Sequence, residues 1–440
     1  MYQYLQNLAA KIFSELKPNE DISLQLHSED SDFIRFNHSK VRQNTTVNQH
    51  ELTIEFHSEL KSYKSSFNLT LDLETDRATS FQKIQWMRDH ITDLEVSPQF
   101  FPMQNNGSSA IYKKSHRPST AEIIALIADV FSDADLAGFW SAGPLRQASI
   151  NSKGQFQYFE NDSFFFDYSL YNGPRAAKGF YAAEVWNESE FRMRASQTKN
   201  TLSLLGRPVV KVKPSTYGAY LEPMALAEIL DMVNNWQGFS RESFEKGFAP
   251  FKKLQTRERL LSKDFTLFEN NSLGLAPHFN SIGEKSPETL SLIENGELKN
   301  FLVSTSTAKE FNLPSNQAGP GETMRSFEVK AGLHDQSEIL KTLDRGLYLS
   351  NLHYINWSDV QMARITGMTR FACFWVEKGE IVGPIQDLRF DDSLYNMFGD
   401  NFGGFTRQQE IFTNTATYQK RRLGGMKLPG AIFHSFHFTL

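Results

Sequence analysis

The stretch that decides the fold of this chain is Tyr220-Leu-Glu-Pro-Met-Ala-Leu-Ala-Glu-Ile-Leu-Asp-Met-Val-Asn-Asn-Trp236. Its apolar residues recur every three or four positions, which is the spacing of an amphipathic helix. These residues are Met224, Leu226, Ile229, Leu230 and Val233. The pattern predicts a helix over residues 222–236 that presents one apolar face to a core.

On the N-terminal side of this helix, the segment from Gly206 to Gly218 indicates a domain junction. A chain of 440 residues is long enough for two domains. We therefore predict an α+β fold, with an N-terminal α+β domain over residues 1–205 and a C-terminal β-rich domain over residues 206–440.

The N-terminal domain is predicted to be a curved antiparallel sheet with helices. Alternating apolar and polar residues predict strands at 21–28, 32–36, 46–58, 61–72, 137–142, 145–151, 155–160, 163–171 and 176–183. Helical patterns fall at about 1–17, 76–92, 119–134 and 188–202. The third helix begins at Ser119 or Thr120, with Glu122 in its first turn.

The C-terminal domain is predicted to be mostly antiparallel β structure, either a sandwich or a partly closed barrel. After about residue 262, turn signals recur at roughly 8–12-residue spacing. Two hairpin turns, Glu294-Asn-Gly-Glu297 and Glu377-Lys-Gly-Glu380, each lie between apolar runs. One helix is predicted at 335–344.

The composition excludes several classes of protein. A net charge of −5 disfavours a non-specific nucleic-acid binder, which needs a basic surplus to neutralise phosphates. No stretch approaches the length of apolar sequence that a membrane span needs. The first residues form an amphipathic helical pattern rather than a secretion signal, so the cytoplasm is the expected location.

The single cysteine and the scattered histidines disfavour a metal site built from neighbouring residues. A site assembled from distant parts of the chain stays open. Cys373 lies in the apolar run Phe371-Ala-Cys-Phe-Trp-Val376 and is predicted to be a buried, inert thiol. The basic run Lys420-Arg421-Arg422 is predicted to be a solvated turn.

Local motifs for phosphate binding, dinucleotide binding and the nucleophile elbow are absent from the sequence. A Ser/His/Asp triad stays open, because its members need not be neighbours. The chain contains 37 Phe, 14 Tyr and 6 Trp. We expect these aromatic residues to fill sheet cores, and an aromatic groove for peptides or bases is the alternative.

Several stretches, in order along the chain, resemble the TldD/PmbA family, also called the modulator-of-gyrase family. Tyr220–Leu230 is similar to the family's L-x-P-x-x-A-x-x-L-L element, and Leu292–Val303 with Ser306–Ala308 is similar to its I-E-N-G-x-L hairpin and T-A run. The other matching stretches are Asp32–Gln43, Arg345–Ser350, Phe374–Ile385 and Leu428–Pro429. The resemblance spans nearly the whole chain and implies two domains, α+β and then β-rich.

The family has two branches. TldD-like chains carry H-E-x-x-x-H on the helix after L-x-P, together with a C-terminal cysteine ligand, and are similar to zinc metallopeptidases. PmbA/TldE-like chains lack these histidines and pair with a TldD-like subunit. In this sequence Asp231, Met232 and Trp236 stand at the three motif positions, and no histidine occurs between His116 and His278.

The resemblance therefore implies the second branch. Glu228 and Asp231 are carboxylates, but two acids without an imidazole do not make a zinc peptidase site, and we expect a solvated helix face. Cys373 does not match the family's cysteine ligand in position. We predict no catalytic residue, no cofactor and no metal ligand in this chain.

The resemblance implies a metal-free TldE/PmbA-like subunit that completes a cleft with a TldD-like metallopeptidase and processes small or unfolded peptides. Extended peptides would bind by strand addition to exposed sheet edges. Two alternatives stay open: an autonomous hydrolase with a hidden site, and a homodimeric binding or scaffold protein. No nucleic-acid or membrane partner is expected.

Overall fold

The protein is described by a computed structural model that covers residues 1–96 and 100–439. The chain forms two large sheets, mostly antiparallel, with helices packed against them, so the predicted α+β class is confirmed. The sheets lie on either side of residue 206, and the division into two domains at this residue stays a prediction. Within the described residues, no helix is long and apolar enough to cross a membrane.

The first sheet and its helices occupy residues 2–204. Its elements are α1 (Tyr2–Phe13), β1 (Asp21–Asn37), β2 (Lys40–Ser58), β3 (Lys61–Asn68), α2 (Leu73–His90), β4 (Ser108–Lys113), α3 (Thr120–Val130), β5 (Asp135–Asn151), β6 (Phe156–Asn172), β7 (Arg175–Tyr181) and α4 (Glu188–Leu204). The strand order is β3-β2-β1-β5-β6-β4, and β7 also pairs with β6. All pairs are antiparallel except β4 with β6.

The four helices of this half occur where the sequence predicts them, and α3 begins with the expected capping box between Ser119 and Glu122. Three strands are much longer than predicted, because β1, β5 and β6 each join two predicted strands into one, whereas β3 and β7 end earlier than predicted. The polar residues that interrupt the pattern of β1, including Glu29 and Ser31, are buried within the strand instead of forming a turn. The short strand β4 was not predicted.

The buried polar residues of β1 and the part of β5 that faces them form what we call the polar strip. Within it the backbones of β1 and β5 approach closely at Gly143. Its φ is +133°, and an added Cβ would lie 2.0 Å from the carbonyl oxygen of Asp30. Only glycine permits both this conformation and this approach. Gly143 therefore fixes the geometry of the strip at the middle of the first sheet.

The second sheet and its helices follow. Their elements are β8 (Ser215–Leu221), α5 (Pro223–Asn235), α6 (Arg241–Glu245), α7 (Lys252–Gln255), β9 (Leu267–Asn270), β10 (Thr289–Glu294), β11 (Glu297–Leu298), α8 (Thr305–Phe311), β12 (Ser326–Val329), α9 (Ile339–Leu343), β13 (Gly346–Asp359), β14 (Arg364–Glu377), β15 (Glu380–Pro384), β16 (Arg389–Ser393), β17 (Phe402–Thr413) and β18 (Gly425–Phe438). Both predicted hairpin turns are present. The strand expected after the first turn ends at Leu298, and the helix expected at 335–344 is shorter.

The eleven strands of the second sheet do not form a simple row. β8 pairs with both β13 and β18, and the path β8-β13-β14-β16-β18 returns to β8, so the sheet is partly ring-like. Helix α5 packs against β13 and β18. Its apolar face is buried as predicted, and Leu226 and Ile229 are fully enclosed. The largest fully buried side chains are aromatic, as expected for sheet cores.

Residues 414–424 connect β17 to β18, and we call this connection the strap because it extends from the second sheet to the first. Arg421 at its centre is 3% exposed. Its Nη1 donates to Ser31 Oγ (3.2 Å) and to the carbonyl of Gly143 (3.1 Å), and its Nη2 donates to Ser163 Oγ (3.0 Å). Its backbone N–H also lies 3.3 Å from a carboxylate oxygen of Glu29.

The prediction that Lys420-Arg421-Arg422 is a solvated turn is therefore wrong for its central residue. The side chain of Arg421 lies in the polar strip of the first sheet, where burial lowers its pKa to about 10 and still leaves it charged at neutral pH. The buried carboxylate of Glu29 compensates that charge. Only Arg422 is exposed as the prediction requires.

Replacing Arg421 with Met should destabilise the protein by about 3–5 kcal/mol, because it leaves Glu29 buried without a compensating charge. Urea unfolding followed by fluorescence would measure the change. Arg422→Met is the matched control and should stay within about 0.5 kcal/mol of the parent. The double variant Arg421→Met with Glu29→Gln should recover part of the loss, and equal losses for Arg421→Met and Arg422→Met would contradict the assignment.

Candidate functional site

A cleft of about 600 Å³ lies along the solvent-facing side of α5, and we call it the α5 cleft. The helix lines it with Met224, Ala227, Glu228, Asp231, Asn234 and Asn235. The other walls come from β6 and β7, from residues 323–327, from the end of β17, from both ends of the strap and from the start of β18. Both halves of the chain therefore contribute to one concave site.

The structure brings Glu228 and Asp231 together on the wall of this cleft. Both side chains remain accessible to water, as expected for a helix face, but they face a concavity instead of open solvent. Desolvation by the cleft walls raises the pKa of both carboxyls, and the charge of Asp231 raises the pKa of Glu228 further. Asp231 Oδ2 accepts a hydrogen bond of 2.7 Å from Asn235 Nδ2.

Two of the three residues that the sequence resemblance aligns with the zinc motif do not face the cleft. Met232 is buried on the opposite, core-facing side of α5, and Trp236 follows the end of the helix with half of its surface exposed. Asp231 alone of the three lines the cleft. Across residues 1–96 and 100–439, no three His, Cys, Asp or Glu side chains are grouped so that they could hold a metal ion.

A second cavity of about 410 Å³, the sheet-face cavity, lies on the first sheet next to the α5 cleft. It is lined by side chains of β1, β2 and β5, including His27, and by residues 279–281 and 319–325. Thr323 and Arg325 line both cavities. A third cavity of about 340 Å³ follows at the edge of β3 and shares Glu51 and Lys420 with the second. The three cavities share lining residues in succession from α5 to the edge of the first sheet, and we call this series the path.

No sequence pattern predicts this path. Its lining residues are far apart in the chain and belong to no motif, and Arg325 lies in a stretch that shows neither helical nor strand spacing. The one available signal was the polar character of β1, which faces the sheet-face cavity through Gln25 and His27. Burial is the main cause that lowers the pKa of His27, so this side chain is neutral at pH 7.

Glu222 lies directly before α5 and accepts a hydrogen bond from the hydroxyl of Tyr348 on β13. Burial raises the pKa of this carboxyl to about 7, and the charge of Glu410 acts in the same direction. The Tyr348 hydrogen bond opposes the shift but does not cancel it. Glu222 is therefore a group at the base of the cleft helix that gains or loses its proton near neutral pH.

Cys373 is buried on β14, as predicted. Burial raises the pKa of its thiol to about 11, and the Sγ lies 3.3 Å from the carbonyl oxygen of Arg370. Because the thiolate is the reactive form, this environment makes the group inert. Cys373 does not line the α5 cleft.

The described fold is found in other solved structures. It matches TldE from Thermococcus kodakarensis with a TM-score of 0.80 at 14% identity, over 99% of this chain and 100% of that chain. It also matches a proposed DNA gyrase modulator from Thermotoga maritima with a TM-score of 0.78 at 14% identity, over 99% of this chain and 100% of that chain. A proposed DNA gyrase modulator from Bacteroides thetaiotaomicron matches with a TM-score of 0.75 at 13% identity, over 99% of this chain and 98% of that chain. No curated protein sequence matches the chain.

These likenesses define the class of the protein as the two-sheet α+β fold that TldE and the proposed gyrase modulators share. Residues 214–439, more than half of the chain, match the family model described as the PmbA/TldA metallopeptidase C-terminal domain. The chain belongs to the TldD/PmbA family. The resemblance stated from the sequence is confirmed.

Replacing Glu222 with Gln should change how stability depends on pH. The folded state holds this proton up to about pH 7, whereas the unfolded chain releases it near the ordinary value of 4.5. The parent should therefore lose stability as pH rises from about 4.5 to 7, by on the order of 3 kcal/mol from this group. Denaturant unfolding at pH 5 and pH 8 should show a smaller decrease for Glu222→Gln than for the parent and for the exposed control Glu294→Gln.

The Cys373 thiol should react with a maleimide or a disulfide reagent at pH 8 on the order of a hundredfold more slowly in the native protein than in urea. The reason is that a rise of its pKa from 9.0 to about 11 removes most of the thiolate. Reaction rates followed by absorbance or mass spectrometry measure this ratio. Equal rates in the two states would show that the thiol is accessible.

Proposed function

We propose that this chain is a metal-free TldE/PmbA-like subunit that pairs with a TldD-like zinc metallopeptidase and takes part in processing small or unfolded peptides. The observation that carries the proposal is that the sequence resemblance aligns Asp231 and Met232 of α5, and Trp236 directly after it, with the positions of the H-E-x-x-x-H motif. A cytoplasmic location stays a prediction.

The chemistry of zinc hydrolysis supports this proposal. A zinc peptidase needs neutral imidazole ligands and a carboxylate that takes a proton from the bound water. Helix α5 offers the carboxylate of Asp231 and no imidazole, and Met232 faces the core. The hydrolytic centre would therefore be supplied by the partner, and the α5 cleft would contribute to holding the peptide.

The path of cavities supports a role in binding extended chains. It ends beside Ser66, Phe67 and Asn68 of β3, and β3 is an edge strand that pairs only with β2 in the described sheet. An edge strand offers backbone N–H and C=O groups to an added strand. A peptide could pair with β3 and continue along the cavities toward α5.

The experiment is co-expression with a TldD-like chain from the same organism, followed by purification, metal analysis and cleavage assays on an unstructured peptide. We expect a stable complex, about one zinc ion for each TldD-like subunit and none for this chain, and cleavage only by the complex or the TldD-like subunit. The TldD-like subunit with its motif histidines replaced by Ala is the matched control and should abolish cleavage within an intact complex.

Two other outcomes would favour one of the two alternative functions. Hydrolysis by the purified chain alone that survives a chelator would favour an autonomous hydrolase. A stable dimer of this chain that ignores the TldD-like protein would favour a homodimeric binding or scaffold protein. Stoichiometric zinc together with peptide cleavage in the isolated chain would overturn the proposal directly.

A further inference from the structure

The α5 cleft contains charges of both signs that the protein itself leaves without ion pairs. Glu228 and Asp231 lie on the helix, and Arg325 and Arg422 lie on other walls. Among the residues that the structure describes, none of these four side chains forms an ion pair within 4 Å; Lys178 and Arg370 act on Glu228, and Glu269 acts on Arg325, at longer range. By contrast, Asp167 and Lys178 of the same cleft form an ion pair with each other.

Arg325 is held rigidly at the point where the two larger cavities meet. Its backbone N–H donates to the buried carboxylate of Glu269 (2.9 Å), and its Nη1 donates to the carbonyl of Phe279 (2.9 Å). A guanidinium has five N–H donors, so several remain for a ligand. Because Arg325 lines both the α5 cleft and the sheet-face cavity, those donors are available to a molecule lying across the junction.

Unpaired charges in a concave, partly desolvated site are costly unless water or a ligand compensates them. A ligand with charges of both signs would compensate all four side chains. An ammonium group suits the Glu228–Asp231 side, and a carboxylate suits a guanidinium, which can bind both of its oxygens. A volume of about 600 Å³ fits a small molecule or a short peptide.

We propose that the α5 cleft binds a short peptide by its two free ends, with the N-terminal ammonium at Glu228 and Asp231 and the C-terminal carboxylate at Arg325 and Arg422. The inference rests on the proposed function for the peptide class of the ligand. It adds which charged groups of the peptide the cleft recognises and which residues recognise them. The site would then favour small free peptides over internal segments of a longer chain.

The test is calorimetric titration of the purified chain with tetra-alanine in four forms: free, N-acetylated, C-amidated and blocked at both ends. Loss of one charge-assisted contact should weaken binding by about tenfold. We therefore expect the free peptide to bind most tightly, each singly blocked form about tenfold more weakly, and the doubly blocked form most weakly.

Variants assign each end of the peptide. Glu228→Gln with Asp231→Asn should abolish the penalty for N-acetylation and keep the penalty for C-amidation. Arg325→Gln should abolish the penalty for C-amidation and keep the penalty for N-acetylation. Arg422→Gln lies at an exposed position and provides the same test if Arg325→Gln does not fold. Glu294→Gln and Arg259→Gln remove exposed charges outside the cleft and should leave all affinities unchanged.

Equal affinity for the free and the doubly blocked peptide would overturn the inference, as would no measurable binding of the free peptide. A loss of affinity in the control variants equal to that of the cleft variants would also overturn it. These measurements need neither zinc nor a partner. A preference for free ends in a chain that does not pair with a TldD-like subunit would uphold the inference and contradict the proposed pairing. Pairing without a preference for free ends would contradict the inference and uphold the proposed pairing.

Discussion

The buried guanidinium of Arg421 is the interaction on which the arrangement of the two sheets depends. A charged group this deeply buried is tolerated only where a counter-charge and hydrogen-bond acceptors surround it. The polar strip of β1 and β5 supplies both, with Glu29 as the carboxylate and the carbonyl of Gly143 among the acceptors. These contacts, together with the ion pair between Lys420 and Glu51, hold the strap against the first sheet.

The three consecutive basic residues of the strap have three different surroundings. Lys420 forms an ion pair with Glu51 at the junction of two cavities, Arg421 is buried, and Arg422 lines the α5 cleft. Anchoring the central residue fixes its neighbours, because backbone connectivity leaves them little freedom. The same contact that joins the sheets therefore also places one charge between two cavities and another in the α5 cleft.

Sequence patterns identified the parts of this fold that depend on local interactions. The helix at 222–236, the capping box at Ser119 and the turn at residues 294–297 all follow from spacing or turn chemistry within a few residues. The position of Arg421 could not be predicted, because the groups that bind it lie hundreds of residues away. Arg325 was missed for the same reason, since only tertiary contacts place it between two cavities.

Helix α5 shows how local and long-range constraints combine at the site. Its core face needs apolar residues, and Met232, which the sequence resemblance aligns with the zinc motif, contributes to that packing. Its open face is free of that requirement and carries Glu228 and Asp231, which form no ion pair within 4 Å among the described residues. Carboxylates that persist in a partly desolvated cleft carry an electrostatic cost, which a cationic group would offset. The open face of α5 is therefore the part of the helix that the proposed peptide ligand would contact.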